Sequence, residues 1–159
     1  MSAIASFLRL PVTSLEQLRS AAVPKKRFFG GVRDDMPHYL ARHGLPVADY
    51  RWSGYVIATV LVYLKDLGID LMRSSYSELG NYLSKSRGVT ILVLSNDLRV
   101  EYSDSLRRPF SEEELCAYYN QFNATTETGA GRAMLDGIAA LRDALGAIEA
   151  DSVVLVTIA

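Results

Sequence analysis

Apolar positions recur along this chain in two rhythms, one at helical spacing and one continuous, and their order predicts the elements. Residues 3–10 mix β-branched, aromatic and small side chains and run into Pro11, which predicts a strand at the start of the chain. Thr13 and Glu16 stand at capping-box spacing, and Leu15 and Leu18 supply an apolar stripe for a short helix to about Ala22, ahead of Pro24. Asp49 suits the cap of a helix from about Tyr50, in which Trp52, Tyr55, Val56, Thr59, Val60, Tyr63 and Leu64 recur at helical spacing and Gly68 closes the run. Apolar residues also fill the positions between, so this helix is expected at the centre of the core, with Trp52 hidden from water.

Ser75 and Glu78 repeat the capping-box spacing before Leu79, Tyr82 and Leu83, predicting a helix that ends near Gly88. Val89-Thr90-Ile91-Leu92-Val93-Leu94 is too short for a helix of its own and is expected as an interior strand. Residues 96–102 fit either a capped helix or the return arm of a hairpin, the helix being the preferred reading. A third capping box, Ser111 with Glu114, precedes Leu115, Cys116, Tyr118, Tyr119 and Phe122. Gly129 and Gly131 then precede a long amphipathic helix carrying Met134, Leu135, Ile138, Leu141, Leu145 and Ile148, and residues 153–158 close the chain as a strand. These elements amount to a single α+β domain over residues 1–159, with a small mixed sheet including the N- and C-terminal strands, faced by several helices and without internal repeats.

Between the first helix and the Trp52 segment, residues 24–46 depart from both rhythms. Lys25, Lys26, Arg27, Gly30, Gly31, Asp34, Asp35, Pro37 and Gly44 make this the least regular stretch, with a short helix near His38 to His43 inside it.

Composition narrows the function classes. A chain of 159 residues that is 49% apolar and 22% charged has the make-up of a globular domain. Seventeen basic against eighteen acidic side chains leave no overall field to attract phosphate backbones or anionic lipid, so neither nucleic acid nor membrane is an expected partner. The longest uncharged stretch, residues 52–64, falls short of the roughly twenty residues that a helix needs to cross a bilayer. A single cysteine excludes an internal disulfide, and Arg9 interrupts the N-terminal apolar run, so a cytoplasmic protein is expected.

Two stretches of the chain resemble a known family. Met1-Ser2-Ala3-Ile4-Ala5-Ser6-Phe7-Leu8-Arg9-Leu10-Pro11, followed by a Leu-rich helix, is similar to the opening of the YfbM-like family of uncharacterised bacterial proteins. Phe110-Ser111-Glu112-Glu113-Glu114-Leu115 with Tyr118-Tyr119, the long helix and Val153-Val154-Leu155-Val156 resembles that family's closing third. Asp49 and Trp52 match its central pattern, but Val56 stands where the family has a histidine, and the family brings no established activity.

Candidate chemistry is sparse. Gly129-Ala130-Gly131-Arg132 at a helix start has the makings of an anion site, but Met134 stands where a third glycine belongs, and the expected role is a plain loop and helix start. His38 and His43 lie on different sides of any helix that carries both, and no cysteine stands near them, so no metal site is expected. Cys116 on an amphipathic helix reads as a small buried thiol rather than a nucleophile. No catalytic residue and no cofactor is assigned, and whether the chain is an enzyme is left open. Two binding surfaces remain. Lys26, Arg27 and Phe28 in the irregular segment are the candidate contacts for a protein partner, although the phenylalanines there are expected to pack inward. The alternative is a small ligand or substrate held near Trp52, with Asp49, His38 and His43 as polar groups.

Overall fold

The computed structural model describes residues 3–159; Met1 and Ser2, on which the family resemblance opens, lie outside the described residues. Strand β1 (Ala5–Pro11) passes through a 3-10 turn into helix α1 (Leu15–Ala21), then a hairpin of β2 (Lys25–Lys26) and β3 (Val32–Arg33), α2 (Met36–His43) and β4 (Leu45–Pro46). The rest of the chain forms α3 (Gly54–Asp66), α4 (Ser77–Arg87), β5 (Thr90–Leu94), α5 (Asn96–Arg107), α6 (Glu112–Asn123), α7 (Ala130–Gly146) and β6 (Ser152–Ile158). The fold is α+β, with both terminal strands in one sheet of order β4-β1-β6-β5. Every pairing in it is antiparallel, rather than mixed: β1 runs opposite to β4 and β6, and β6 opposite to β1 and β5. No helix of the described residues is long and apolar enough to cross a membrane.

Period-two alternation along β6 divides the interior into two cores. Val153 and Leu155 face a core shared with α1, α2 and α4, whereas Val154, Val156 and Ile158 face the larger core built by α3, α5, α6 and α7. The sheet is therefore a middle layer with both faces covered, which explains why β5 and the body of β6 read as continuous apolar and β-branched runs. β5 corrects the expectation of an interior strand: it is buried on both faces but stands at the sheet edge. Helix α4 seals that edge. Gly80 lets the helix approach, since a Cβ there would lie 3.1 Å from the Ile91 carbonyl oxygen. The Ser84 hydroxyl then accepts a hydrogen bond from the Ile91 N–H (2.8 Å) and lies 3.0 Å from its carbonyl, closing a strand edge that would otherwise invite pairing.

Helix α3 is central, as its apolar spread predicts, and ends at Gly68 with φ 84°. Its start differs from the expectation. Ser53 caps it by accepting from the Tyr55 N–H, so Asp49, Tyr50 and Trp52 precede the helix and Trp52 does not enter the core. Two of the three capping boxes are likewise unused. Ser14 precedes α1 and hydrogen-bonds back to the Pro11 carbonyl, and Ser75 turns away from α4 toward Asp97. Only Ser111 caps as its spacing predicts, accepting from the Glu114 N–H. Residues 96–102 are helical, the preferred of the two readings.

Asp97, in the first turn of α5, ties the segment before α4 to the end of β5. It accepts from the Ser75 N–H and hydroxyl, both at 3.0 Å, and from the buried Ser95 hydroxyl. Desolvation opposes its ionisation, but these hydrogen bonds outweigh it and hold the carboxyl below the ordinary aspartate range. The unfolded chain takes up that proton at about pH 3.9, so below this pH the unfolded state binds more protons and stability falls as the pH drops through the folded value. Urea unfolding of Asp97→Asn at about pH 6 and about pH 3.5 is expected to show a smaller acid-side loss than wild type. Part of the loss should remain through Asp34, whose carboxyl the Arg87 guanidinium also holds low. Equal losses in variant and wild type would show that Asp97 gives no such coupling.

Candidate functional site

The sequence expectation groups Trp52 with Asp49, His38 and His43, and the structure separates this set. His38 and His43 are exposed on α2, which packs into the smaller core through Met36, and the His43 ring lies against Tyr39 at 4.4 Å. Trp52 belongs to the other side of the sheet, where its indole N–H donates to Asp136 on α7 (3.0 Å). The histidines therefore cannot serve a site at Trp52. Asp49 does reach that region: it pairs with Arg51 at 3.5 Å and lines a cleft together with Tyr50, Trp52, Asp136 and Asp143. Among the described residues, no three His, Cys, Asp or Glu side chains converge where they would hold a metal ion.

Trp52 corrects the core expectation. It is 43% exposed, because the residue that begins the buried helix is Gly54, whose position would place a Cβ 3.0 Å from Ile158 and 3.1 Å from the Ile4 backbone. The chain enters α3 pressed against the sheet end, and the residues before it are left on the surface. Tyr50 takes the buried place instead, its hydroxyl donating to the Ala133 carbonyl (3.0 Å), and burial raises its pKa. The indole stands as a wall between two clefts. One is the Asp49 cleft; the other, of about 420 Å³, is lined by Trp52, Tyr55, Tyr119 and Glu127 with the start of α7. The sequence placed Tyr119 only on a helix and did not single out Glu127, since nothing in their spacing relates them to Trp52.

The glycines at the start of α7 have a packing role. A Cβ at Gly131 would lie 2.1 Å from the Glu112 carbonyl oxygen and 3.0 Å from the Cys116 Cβ, so Gly131 marks where α6 and α7 touch. Arg132 is engaged with Asp136 at 3.1 Å. Cys116 is half-buried, donates to the Glu127 carbonyl (3.3 Å) and has Asn120 as its polar neighbour rather than a histidine.

The second surface is the β2–β3 hairpin. Lys25 pairs with Arg33 and Lys26 with Val32, and Gly30 and Gly31 turn the chain with φ 85° and 93°, values that glycine adopts without strain. The tip carries Phe28 and Phe29, which are 99% and 96% exposed and touch each other edge to face. The expectation that they pack inward fails because a ribbon of two-residue strands projects from the body and offers no apolar surface for them to reach. Arg33 is paired with Asp35 at 2.6 Å, whereas Lys25, Lys26 and Arg27 have no ion-pair partner among the described residues. Compared with protein-family models, with curated proteins and with solved structures, the chain gives no match.

Proposed function

We propose that this chain is a non-enzymatic, cytoplasmic protein-interaction module that docks its partner through the tip of the β2–β3 hairpin. The carrying observation is the pair Phe28 and Phe29, held almost fully in water above a stem whose Lys25, Lys26 and Arg27 are unpaired among the described residues. Docking would remove roughly 150–250 Å² of surface per ring, and buried aromatics are where interface energy concentrates. Charge sets the chemistry of the other side: a pocket for two rings, rimmed by carboxylates. The overall charge of −1 makes this cationic finger a local feature that steers one contact without a general affinity for anions. A relationship to YfbM-like proteins is part of the same proposal; the segments that suggest it fold as β1, α6, α7 and β6.

Affinity capture from native lysate is expected to yield a stoichiometric protein partner. With that partner purified, Phe28→Ala should bind about tenfold more weakly or worse, and Arg27→Glu should slow association and weaken its salt dependence. Folded variants that bind the partner as wild type does would remove this surface from the reading. So would capture of no protein, with the chain sedimenting instead on anionic vesicles.

A further inference from the structure

Among the described residues, Glu127 is the only acidic or basic side chain that lines the cleft on the α7 side of Trp52, and its backbone is held fast. Asn120 accepts from its N–H (2.9 Å) and donates to its carbonyl (3.1 Å), and the Cys116 thiol donates to the same carbonyl. The carboxylate itself has neither ion pair nor hydrogen bond among the described residues, and no Lys, Arg or His lines the cleft. Three aromatic side chains do: Trp52, Tyr55, which is 61% exposed, and Tyr119. The hydrogen bond from the indole N–H to Asp136, itself braced by Arg132, holds the Trp52 ring in place, and the side chain remains 43% exposed.

From this arrangement we infer a binding site for a small organic cation of the quaternary-ammonium class, seated against the Trp52 face with Glu127 as its counter-charge. Aromatic faces carry negative quadrupole density, and a cation wrapped in methyl groups gives up its hydration easily enough to exploit it. A bare ammonium or an alkali ion, more strongly hydrated, gains less. The positive end of α7 also borders the cleft, but its partial charge of about +0.5 is smaller than the full charge on Glu127. An anion would meet that carboxylate among three aromatic side chains. The cleft volume of about 420 Å³ is of the size that small-molecule sites occupy. This site lies across the sheet from the hairpin and stands or falls without it.

Trp52 is the only tryptophan, so its emission reports on the indole and the two clefts that it separates. Titration with choline is expected to change that emission saturably. The uncharged carbon analogue 3,3-dimethylbutan-1-ol, of the same shape, should bind at least about tenfold more weakly. Glu127→Gln and Tyr55→Ala, both at exposed positions, should each weaken choline binding by about three- to tenfold while far-UV circular dichroism stays unchanged. Asp143→Asn, on the opposite side of the indole, should bind choline as wild type does. The inference is overturned by an absence of saturable change, by equal affinity for the two probes, or by loss of binding in Asp143→Asn with Glu127→Gln unaffected. The last result would place the cation on the other side of the ring.

Discussion

Gly131→Ala is expected to lower unfolding stability by about 2–4 kcal/mol, whereas Gly129→Ala, two positions earlier, leaves it nearly unchanged. Both glycines stand at the start of α7, and neither has a positive φ, so backbone strain does not separate them. Space does. A Cβ at Gly129 meets nothing within 4 Å, while at Gly131 it would sit 2.1 Å from the Glu112 carbonyl oxygen. That neighbour is backbone and cannot swing aside as a side chain would. Relief requires α7 to slide off α6 or its first turn to unwind, and either movement opens the seam over Leu115 and Met134, both fully buried. Alanine's better helix propensity returns at most about 1 kcal/mol. In a chain of this size each kcal/mol shifts the melting midpoint by about 2–4 °C, so calorimetry should place the two variants well apart. Equal midpoints would mean that the α6–α7 contact is looser than the structure has it.

Leu155→Ala is expected to destabilise by about 2–5 kcal/mol with little rearrangement. Leu155 is fully buried on β6, an inner strand hydrogen-bonded on both sides, opposite Leu8 of β1 and Val93 of β5. Its side chain faces the smaller core with Leu10, Leu18, Leu83 and Val93. That core is closed by α1, α2 and α4 on top and by a sheet that is itself packed on its other face, so collapse into the void has no free direction. Urea denaturation should show a lower midpoint with an unchanged slope. Exposed Val100, on α5, offers the contrast: Val100→Ala should be close to neutral.

The local layers of the fold were legible because they obey local rules. The six-residue apolar run at Val89 and the run at the C-terminus became β5 and β6, and helical spacing marked α3, α4, α6 and α7. Gly68 and Gly88 end α3 and α4 at positive φ, as their positions predict. The capping boxes were less faithful, because a serine hydroxyl goes to whichever partner the tertiary fold brings nearest. Ser75 is claimed by Asp97, 22 residues away, and the helix it was expected to cap starts without it.

The candidate surfaces were legible only in part. Lys26, Arg27 and Phe28 could be named from the mixture of cations and rings, but the direction in which the phenylalanines point depends on what lies beside the hairpin. Trp52 was named for the wrong environment. An indole two residues ahead of a buried helix has the same periodicity as one inside it, and the difference is made by Ser53 capping and by Gly54 abutting Ile158 and Ile4. Glu127 and Tyr119 join Trp52 through the packing of α6 and α7, to which no spacing in the sequence points.

By itself the amino-acid order determined the kind of the longer elements and the α+β class, because side-chain periodicity and chain stereochemistry act over a few residues. Only the tertiary structure decided that β6 lies between β1 and β5, that Ser84 closes the edge of β5, that His38 and His43 stand across the sheet from Trp52, and that Glu127 lines an aromatic cleft. Those outcomes depend on contacts between residues tens of positions apart, which the closing of the chain around two cores brings together.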